Sequence, residues 1–234
     1  MRSRLALMWS RPNVRAGEVV ALYALRTIHP RETHIYRRYR THTMLPEARA
    51  IDNLAVVRKH VHVSGDIVEC GTWKGGMSAA MADVMPGRRS VLFDSFEGLP
   101  EPTDQDSERA QTLYNDSPLV ASETEAELVM QRSRSRAYEI RKGWFETTVP
   151  AFAAEQPRIA VLRLDGDWYE STMTCLTHLF PLVERGGVVI IDDYYDWPGC
   201  TRAVHHYLSQ EDRPEPIVST RLGRTVWLQK YTNG

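Results

Sequence analysis

From Asp66 onward the chain alternates short, largely apolar runs with amphipathic segments of helical length. The runs at 67–70, 90–93, 137–141, 159–164 and 188–191 read as strands of a parallel sheet buried on both faces. Between and after them, 77–85, 124–133, 172–183 and 201–208 read as helices. The third carries Met173, Leu176, Leu179, Phe180 and Val183 on one face, an ordinary buried stripe. Upstream, residues 1–64 read as helical and irregular. There, 46–63 set Ala50, Leu54, Val57 and Val61 on one face, with Pro46 in a first-turn position. At the other end, 217–220 and 225–229 suit a hairpin across Leu222-Gly223-Arg224. This succession predicts an α/β fold with a doubly wound sheet, mostly parallel with an antiparallel C-terminal edge. It divides the chain into an N-terminal helical extension, 1–64, and a sheet domain, 65–234. Residues 95–120 hold several Pro, Asp and Glu and few apolar positions. So long a loop inside a compact domain is usually functional or disordered, and Glu97 to Val120 is a candidate lid.

Two of the apolar runs end in acid: Leu164-Asp165-Gly166-Asp167 and Ile190-Ile191-Asp192-Asp193-Tyr194. Ligands of open α/β sheets bind outside the carboxyl ends of the strands, so Asp165, Asp192 and Asp193 are expected at one rim. Three carboxylates there repel one another unless a cation neutralises them. Oxygen-only ligation suits Mg²⁺, with Ca²⁺ or Mn²⁺ as alternatives. An acidic pair after a strand often caps the next helix. Here Pro198 and Gly199 precede Thr201-Arg202-Ala203, which argues against capping. His178, His205 and His206 fit surface or core positions better than ligands.

The first strand joins its helix through Glu69-Cys70-Gly71-Thr72-Trp73-Lys74-Gly75-Gly76-Met77-Ser78. Thr72 and Trp73 spoil a Gly-x-Gly-x-x-Gly dinucleotide fingerprint. Met77 stands where a P-loop needs Lys, which removes its main charge partner for phosphate. Glu69-Cys70-Gly71 fits the acidic-x-Gly loop of S-adenosylmethionine enzymes, with Glu69 able to meet the ammonium end and Gly71 clearing room. The loop residues Thr72, Gly76 and Ser78 are expected beside the cofactor. The next strand ends at Asp94, placed to accept both ribose hydroxyls, with Ser95 after it. Trp144, after the third strand, suits stacking on adenine or core packing equally.

Composition narrows the partners. The formal net charge is −1, so no global field favours nucleic acid. Sign is uneven, however. Residues 1–60 hold 12 Lys+Arg against four Asp+Glu, and 94–127 hold ten Asp+Glu against one Arg. The basic end reads as a solvated or subunit-contact face, hence an expected homo-oligomer. Cys70, Cys175 and Cys200 are scattered without a CxxC, which fits a reduced cytoplasmic protein. No apolar run reaches membrane-spanning length, and the run from Leu5 to Trp9 is too short for a signal-peptide core.

On these residues the chain resembles the macrocin O-methyltransferase (TylF-type) family of sugar O-methyltransferases. The matching stretches are Gly65-Asp66-Ile67-Val68-Glu69-Cys70-Gly71 and Asp94-Ser95-Phe96-Glu97-Gly98-Leu99-Pro100. Further matches are Gly143-Trp144-Phe145-Glu146-Thr147-Thr148, Leu164-Asp165-Gly166-Asp167-Trp168-Tyr169-Glu170-Ser171-Thr172, and Gly186-Gly187 through Asp192-Asp193-Tyr194. The likeness runs from about Thr43 to near the end. It implies a class I methyltransferase (Rossmann-like) fold, S-adenosylmethionine as donor and Mg²⁺ on Asp165, Asp192 and Asp193. It also implies contact of Thr43 and Met44 with the cofactor, and a small-molecule glycoside of antibiotic-type secondary metabolism as acceptor. Asp165 is the expected general base, with Asp167 second. A nicotinamide-dependent oxidoreductase and a non-catalytic nucleotide-binding regulatory module are the competing readings.

Overall fold

A computed structural model describes residues 15–116, 119–222 and 224–231. Among these residues three helices come first: α1 (Arg15–Ile28), α2 (Pro30–Tyr39) and α3 (Glu47–Lys59). Then β1 (Asp66–Cys70), α4 (Gly76–Val84), β2 (Arg89–Asp94), α5 (Glu108–Asp116), α6 (Glu123–Met130) and β3 (Ala137–Lys142) follow. The chain continues through α7 (Phe145–Ala153), β4 (Ile159–Leu164), α8 (Tyr169–Leu179), β5 (Val183–Ile191) and α9 (Pro198–Gln210). It ends in β6 (Val218–Ser219) and β7 (Val226–Gln229).

The strands form one sheet in the order β3-β2-β1-β4-β5-β7-β6. The five strands β1 to β5 run parallel, β7 lies antiparallel to β5, and β6 antiparallel to β7. The expected parallel sheet with an antiparallel edge is therefore present. Register decides what comes next. Cys70 lies beside Phe93 on one side and Leu164 on the other, and Leu164 lies beside Ile191. The residues that follow, Gly71, Asp94, Asp165 and Asp192, must then emerge in one row along a single edge of the sheet.

Both faces are covered. Val68, Cys70, Val91, Phe93, Leu162 and Leu164 face one apolar core with Phe152, Leu176 and Val204. Ile67, Leu92, Val161 and Ile190 face a second core with Tyr39, Leu54, Met81 and Met130. Helix α3 thus shares the core of the sheet. Its Arg49, Asp52 and Asn53 are as buried as its Ala50, Leu54 and Val57. Val61, expected on the same face, is 41% exposed because the helix stops at Lys59.

Other boundaries moved for local reasons. The expected helix 172–183 ends at Leu179; a 3-10 turn over Phe180–Leu182 follows, and Val183 opens β5. Helix α9 starts at Pro198, not 201, because a proline at the first helical position loses no intrahelical bond. The segment 95–120 contains α5 rather than loop alone, with Ala110 and Leu113 buried. Helix α7 escaped the sequence pattern because Pro150 lies inside it. Helix α6 begins at Glu123 behind a capping box of Ser122 and Glu125. Gly223, the expected hairpin turn, and the run from Leu5 to Trp9 lie outside the described residues.

Candidate active site

A cleft of about 1220 Å³, open to solvent, runs along the row of strand ends. One end is lined by Gly71, Trp73, Asp94, Ser95, Gly143 and Trp144. The other is lined by Asp165, Asp167, Asp192, Asp193, Arg49 and Trp197, walled by Leu99, Pro100, Arg109 and Leu113.

At the first end the backbone comes very close. Gly71 has φ +87°, and a Cβ there would collide with the carbonyl oxygen of Asp165. Only glycine allows β1 and β4 to end side by side in this way. Asp94 Oδ2 accepts the Trp73 N–H at 2.7 Å and Oδ1 accepts that of Phe96 at 2.8 Å. These bonds hold the β1 loop against the β2 loop. Burial nonetheless raises the Asp94 pKa, against the pull of those N–H groups. Trp144 is half-buried at the position preceding α7 and faces the cleft.

Glu69 is placed differently from Asp94. It is 1% exposed and does not line the cleft. Its Oε1 pairs with Arg163 Nη1 at 2.6 Å. Its Oε2 accepts the hydroxyls of Ser78 and, at 3.1 Å, Thr72. Thr72 and Ser78 are thus tied to a buried carboxylate rather than presented to the cleft. The Gly76 N–H donates to the His42 carbonyl at 3.0 Å, so the chain before α3 covers the start of α4. Phosphate sites need that helix end open. Its closure argues against both dinucleotide and P-loop readings. Thr43 Oγ1 accepts the Leu45 N–H at 3.2 Å, in a bend that brings Met44 to the cleft wall.

The second end holds the acids. Oxygens of Asp165, Asp192 and Asp193 lie within 4.8 Å of one another. Two buried arginines partly neutralise them. Arg163 Nη1 bonds Asp165 Oδ2 at 2.9 Å, and its Nη2 lies 3.2 Å from Asp192 Oδ1. Arg49 Nη1 lies 3.4 Å from Asp192 Oδ2, and its Nη2 donates to Asp196 Oδ2 at 2.7 Å. Asp192 Oδ1 also accepts Asn53 Nδ2 at 3.2 Å and Thr225 Oγ1 at 3.3 Å. Asp193 Oδ2 accepts the Asp167 N–H at 3.1 Å. Burial, then Asp167, Asp165 and Asp192, push the Asp193 pKa well up. Burial and the Asp165 charge bring Asp167 to about 7, against a hydrogen bond from Trp197. Burial opposes the Arg163 charge, but Asp165, Asp192 and Glu69 outweigh it and raise its pKa.

The acids stand out in the sequence; Arg49, Asn53, Trp73, Arg109, Arg163 and Trp197, which line or hold the cleft, do not. Arg163 sits mid-strand in an apolar run, and Arg49 and Asn53 lie on a helix some 140 residues away in sequence. A charged residue inside a buried strand was the one available signal. His178, His205 and His206 are absent from the cleft wall.

The chain is 34% identical over 204 residues to a demethyldecarbamoylnovobiocin O-methyltransferase of Streptomyces niveus, covering 80% of this chain and 75% of that one. It is 38% identical over 194 residues to an 8-demethyl-8-(2,3-dimethoxy-alpha-L-rhamnosyl)-tetracenomycin-C 4′-O-methyltransferase of Streptomyces olivaceus, covering 75% and 71%. Among solved structures it is similar to the O-methyltransferase NovP, with a TM-score of 0.68, 32% identity, and 82% and 83% coverage. The MycE methyltransferase, solved with Mg, SAH and mycinamycin VI, shares the fold at a TM-score of 0.57 and 16% identity, covering 86% of this chain and 55% of that one. The macrocin-O-methyltransferase (TylF) family profile matches residues 26–230. The chain belongs to that family.

Proposed function

We propose that this O-methyltransferase moves a methyl group from S-adenosylmethionine to a sugar hydroxyl of a glycosylated natural product, with Mg²⁺ held by Asp165, Asp192 and Asp193. One observation carries the reading. A ribose-type carboxylate, Asp94, and an oxygen-only triad within 4.8 Å open into the same cleft from successive strand ends. An all-carboxylate set of that size suits a hard divalent cation.

The donor lies along Gly71, Trp73 and Asp94. Asp94 accepts the ribose hydroxyls, and Trp144 and Ser95 border the adenine. Glu69, Thr72, Gly76 and Ser78 act by holding the loop, and Thr43 and Met44 close the site from the helical extension. When bound, the cation lowers the pKa of a sugar hydroxyl and orients it. Asp165 accepts the hydroxyl proton as the oxygen attacks the methyl group in line. Asp167, beside it, is the second candidate. Bringing two bound partners into line supplies much of the rate of such a transfer.

Residues 1–64 act in this reading as a cap, and 65–234 as the catalytic domain. Val20, Tyr23 and Ile28 of α1 are exposed apolar residues suited to a homo-oligomer contact. Light scattering of a chain lacking residues 1–28 checks that. No helix among the described residues is long and apolar enough to cross a membrane. We place the enzyme in the cytoplasm with no nucleic-acid partner.

The test is calorimetry with S-adenosylhomocysteine, followed by labelled-donor assays over a panel of glycosides. Transfer to a sugar hydroxyl, lost in chelator and restored by Mg²⁺, is expected. Donor binding with no transfer to any hydroxyl would favour the regulatory module. Binding of a nicotinamide cofactor instead would favour the oxidoreductase.

A further inference from the structure

The wall segment between Leu99 and Leu113 is seated by a carboxylate outside the cleft. Asp106 Oδ1 accepts the Tyr169 N–H at 3.0 Å, at the first residue of α8. Its Oδ2 accepts the N–H of Thr103 at 3.1 Å and the Thr103 hydroxyl at 3.3 Å, which closes its own turn. The same carboxylate faces α9. A Cβ on Gly199 would collide with Asp106 Oδ1. One acidic side chain therefore fills a notch between the starts of two helices, whose exposed N–H groups favour negative charge there. Tyr169 lies two residues after Asp167, so the notch adjoins the acidic end of the cleft.

Other bonds lie along the same segment. Trp168 Nε1 donates to the Pro100 carbonyl at 2.9 Å. Arg202 Nη1 donates to Gln105 Oε1 at 3.0 Å, and the Arg109 guanidinium lies 4.5 Å over the Trp197 ring. Asp106 is the one that joins the segment to both helix starts. Leu99, Pro100, Arg109 and Leu113 line the cleft on the side of the carboxylate triad.

We propose that Asp106 is a positioning residue for the acceptor: it seats the segment from Leu99 to Leu113 against α8 and α9, with Gly199 providing the space. The claim rests on reading the acidic end of the cleft as the acceptor side. Asp106 touches no substrate. Its removal should raise the acceptor KM while leaving donor affinity unchanged.

The chain supplies its own probe. Arg109 is the only Lys or Arg between Asp94 and Glu127, so a tryptic cut inside this stretch must fall there. Asp106→Ala should speed that cut and raise the KM of the best glycoside about tenfold, the size expected for one charge-assisted hydrogen bond. Asp106→Asn keeps the shape and should recover part of both. Gly199→Ala should reproduce both effects, although alanine favours a helix over glycine. In the Asp106→Ala background Gly199→Ala should add much less than it does alone, because the colliding oxygen is gone and only the Tyr169 nitrogen, 3.2 Å from the new Cβ, stays close. S-adenosylhomocysteine affinity by calorimetry should stay within about twofold throughout. Unchanged cleavage and KM in Asp106→Ala would overturn the proposal. So would a parallel loss of S-adenosylhomocysteine affinity, which would mean damage to the whole site. Proteolysis needs no substrate. Faster cleavage in both single variants, but not additively in the double, would support the seat even if no glycoside were methylated.

Discussion

Arg163 Nη1 lies 2.6 Å from Glu69 Oε1, and both side chains are 1% exposed. The same nitrogen bonds Asp165 Oδ2 at 2.9 Å. A single guanidinium therefore links the carboxylate that holds the donor loop to one in the acidic triad. Arg163→Met would leave three carboxylates without their shared counter-charge. Breaking a buried pair from one side costs about 3–5 kcal/mol. Urea denaturation should show a loss of that order, and Arg163→Met with Glu69→Gln should recover part of it. A loss below about 1 kcal/mol would mean that water reaches this pair.

Cation binding should depend on the acids unequally. Asp192→Asn and Asp193→Asn should raise the Mg²⁺ needed for half-maximal rate. Asp165→Asn should abolish turnover even at saturating Mg²⁺, since in the proposed mechanism it would remove a ligand and the base together. Asp167→Asn should lower kcat with cation affinity intact. Calorimetry with Mg²⁺ separates these cases, and equal turnover in Asp165→Asn would make Asp167 the base.

Asn53 donates to Asp192 Oδ1 at 3.2 Å from a helix of the N-terminal extension. Groups that orient a metal ligand are worth about 10–100-fold in affinity. Asn53→Ala should weaken Mg²⁺ binding on that scale in calorimetry while the far-UV spectrum stays unchanged. Unaltered affinity would leave the orientation of Asp192 to Arg49, Arg163 and Thr225.

Asp94→Ala should weaken S-adenosylhomocysteine binding. Each charge-assisted bond to ribose is worth about 1.5–3 kcal/mol. The same carboxylate holds the N–H groups of Trp73 and Phe96, so loosening of the loop adds to the loss. Calorimetry on the variant measures the sum, and equal affinity would remove Asp94 from the donor site.

His60 is 3% exposed and shares a hydrogen bond with the Val56 carbonyl. Burial holds its pKa below the usual 6.5. The folded chain keeps it neutral while the unfolded chain takes the proton first. Its contribution to stability is complete above about pH 6.5 and is lost as pH falls from there through the lower folded pKa. Thermal unfolding of His60→Leu should therefore show a shallower decline below about pH 6.5 than the parent chain.

Much of this protein was legible in one dimension. Apolar runs marked β1, β2, β4 and β5, because strands buried on both faces have little freedom to be anything but apolar, whereas the edge strand β3 carries Glu139, Arg141 and Lys142 and has no buried residue. Asp94, Asp165, Asp192 and Asp193 stood out because each follows such a run directly, and a parallel sheet sends every strand end to one edge. Helix α7 and the wall helix α5 did not stand out. Pro150 interrupts one pattern, and two buried residues in nine make the other too polar to show a face. Only the tertiary structure decided that Glu69 turns inward to Arg163 while Asp94 faces the cleft. Adjacent strand ends look alike in sequence, and strand pairing with side-chain packing assigns each carboxylate its partner. The same holds for Arg49, Asn53 and Asp106. Their distant partners lie between about 60 and 180 residues away, so no local pattern could pair them, and long-range packing alone brings these polar groups to the site and its wall.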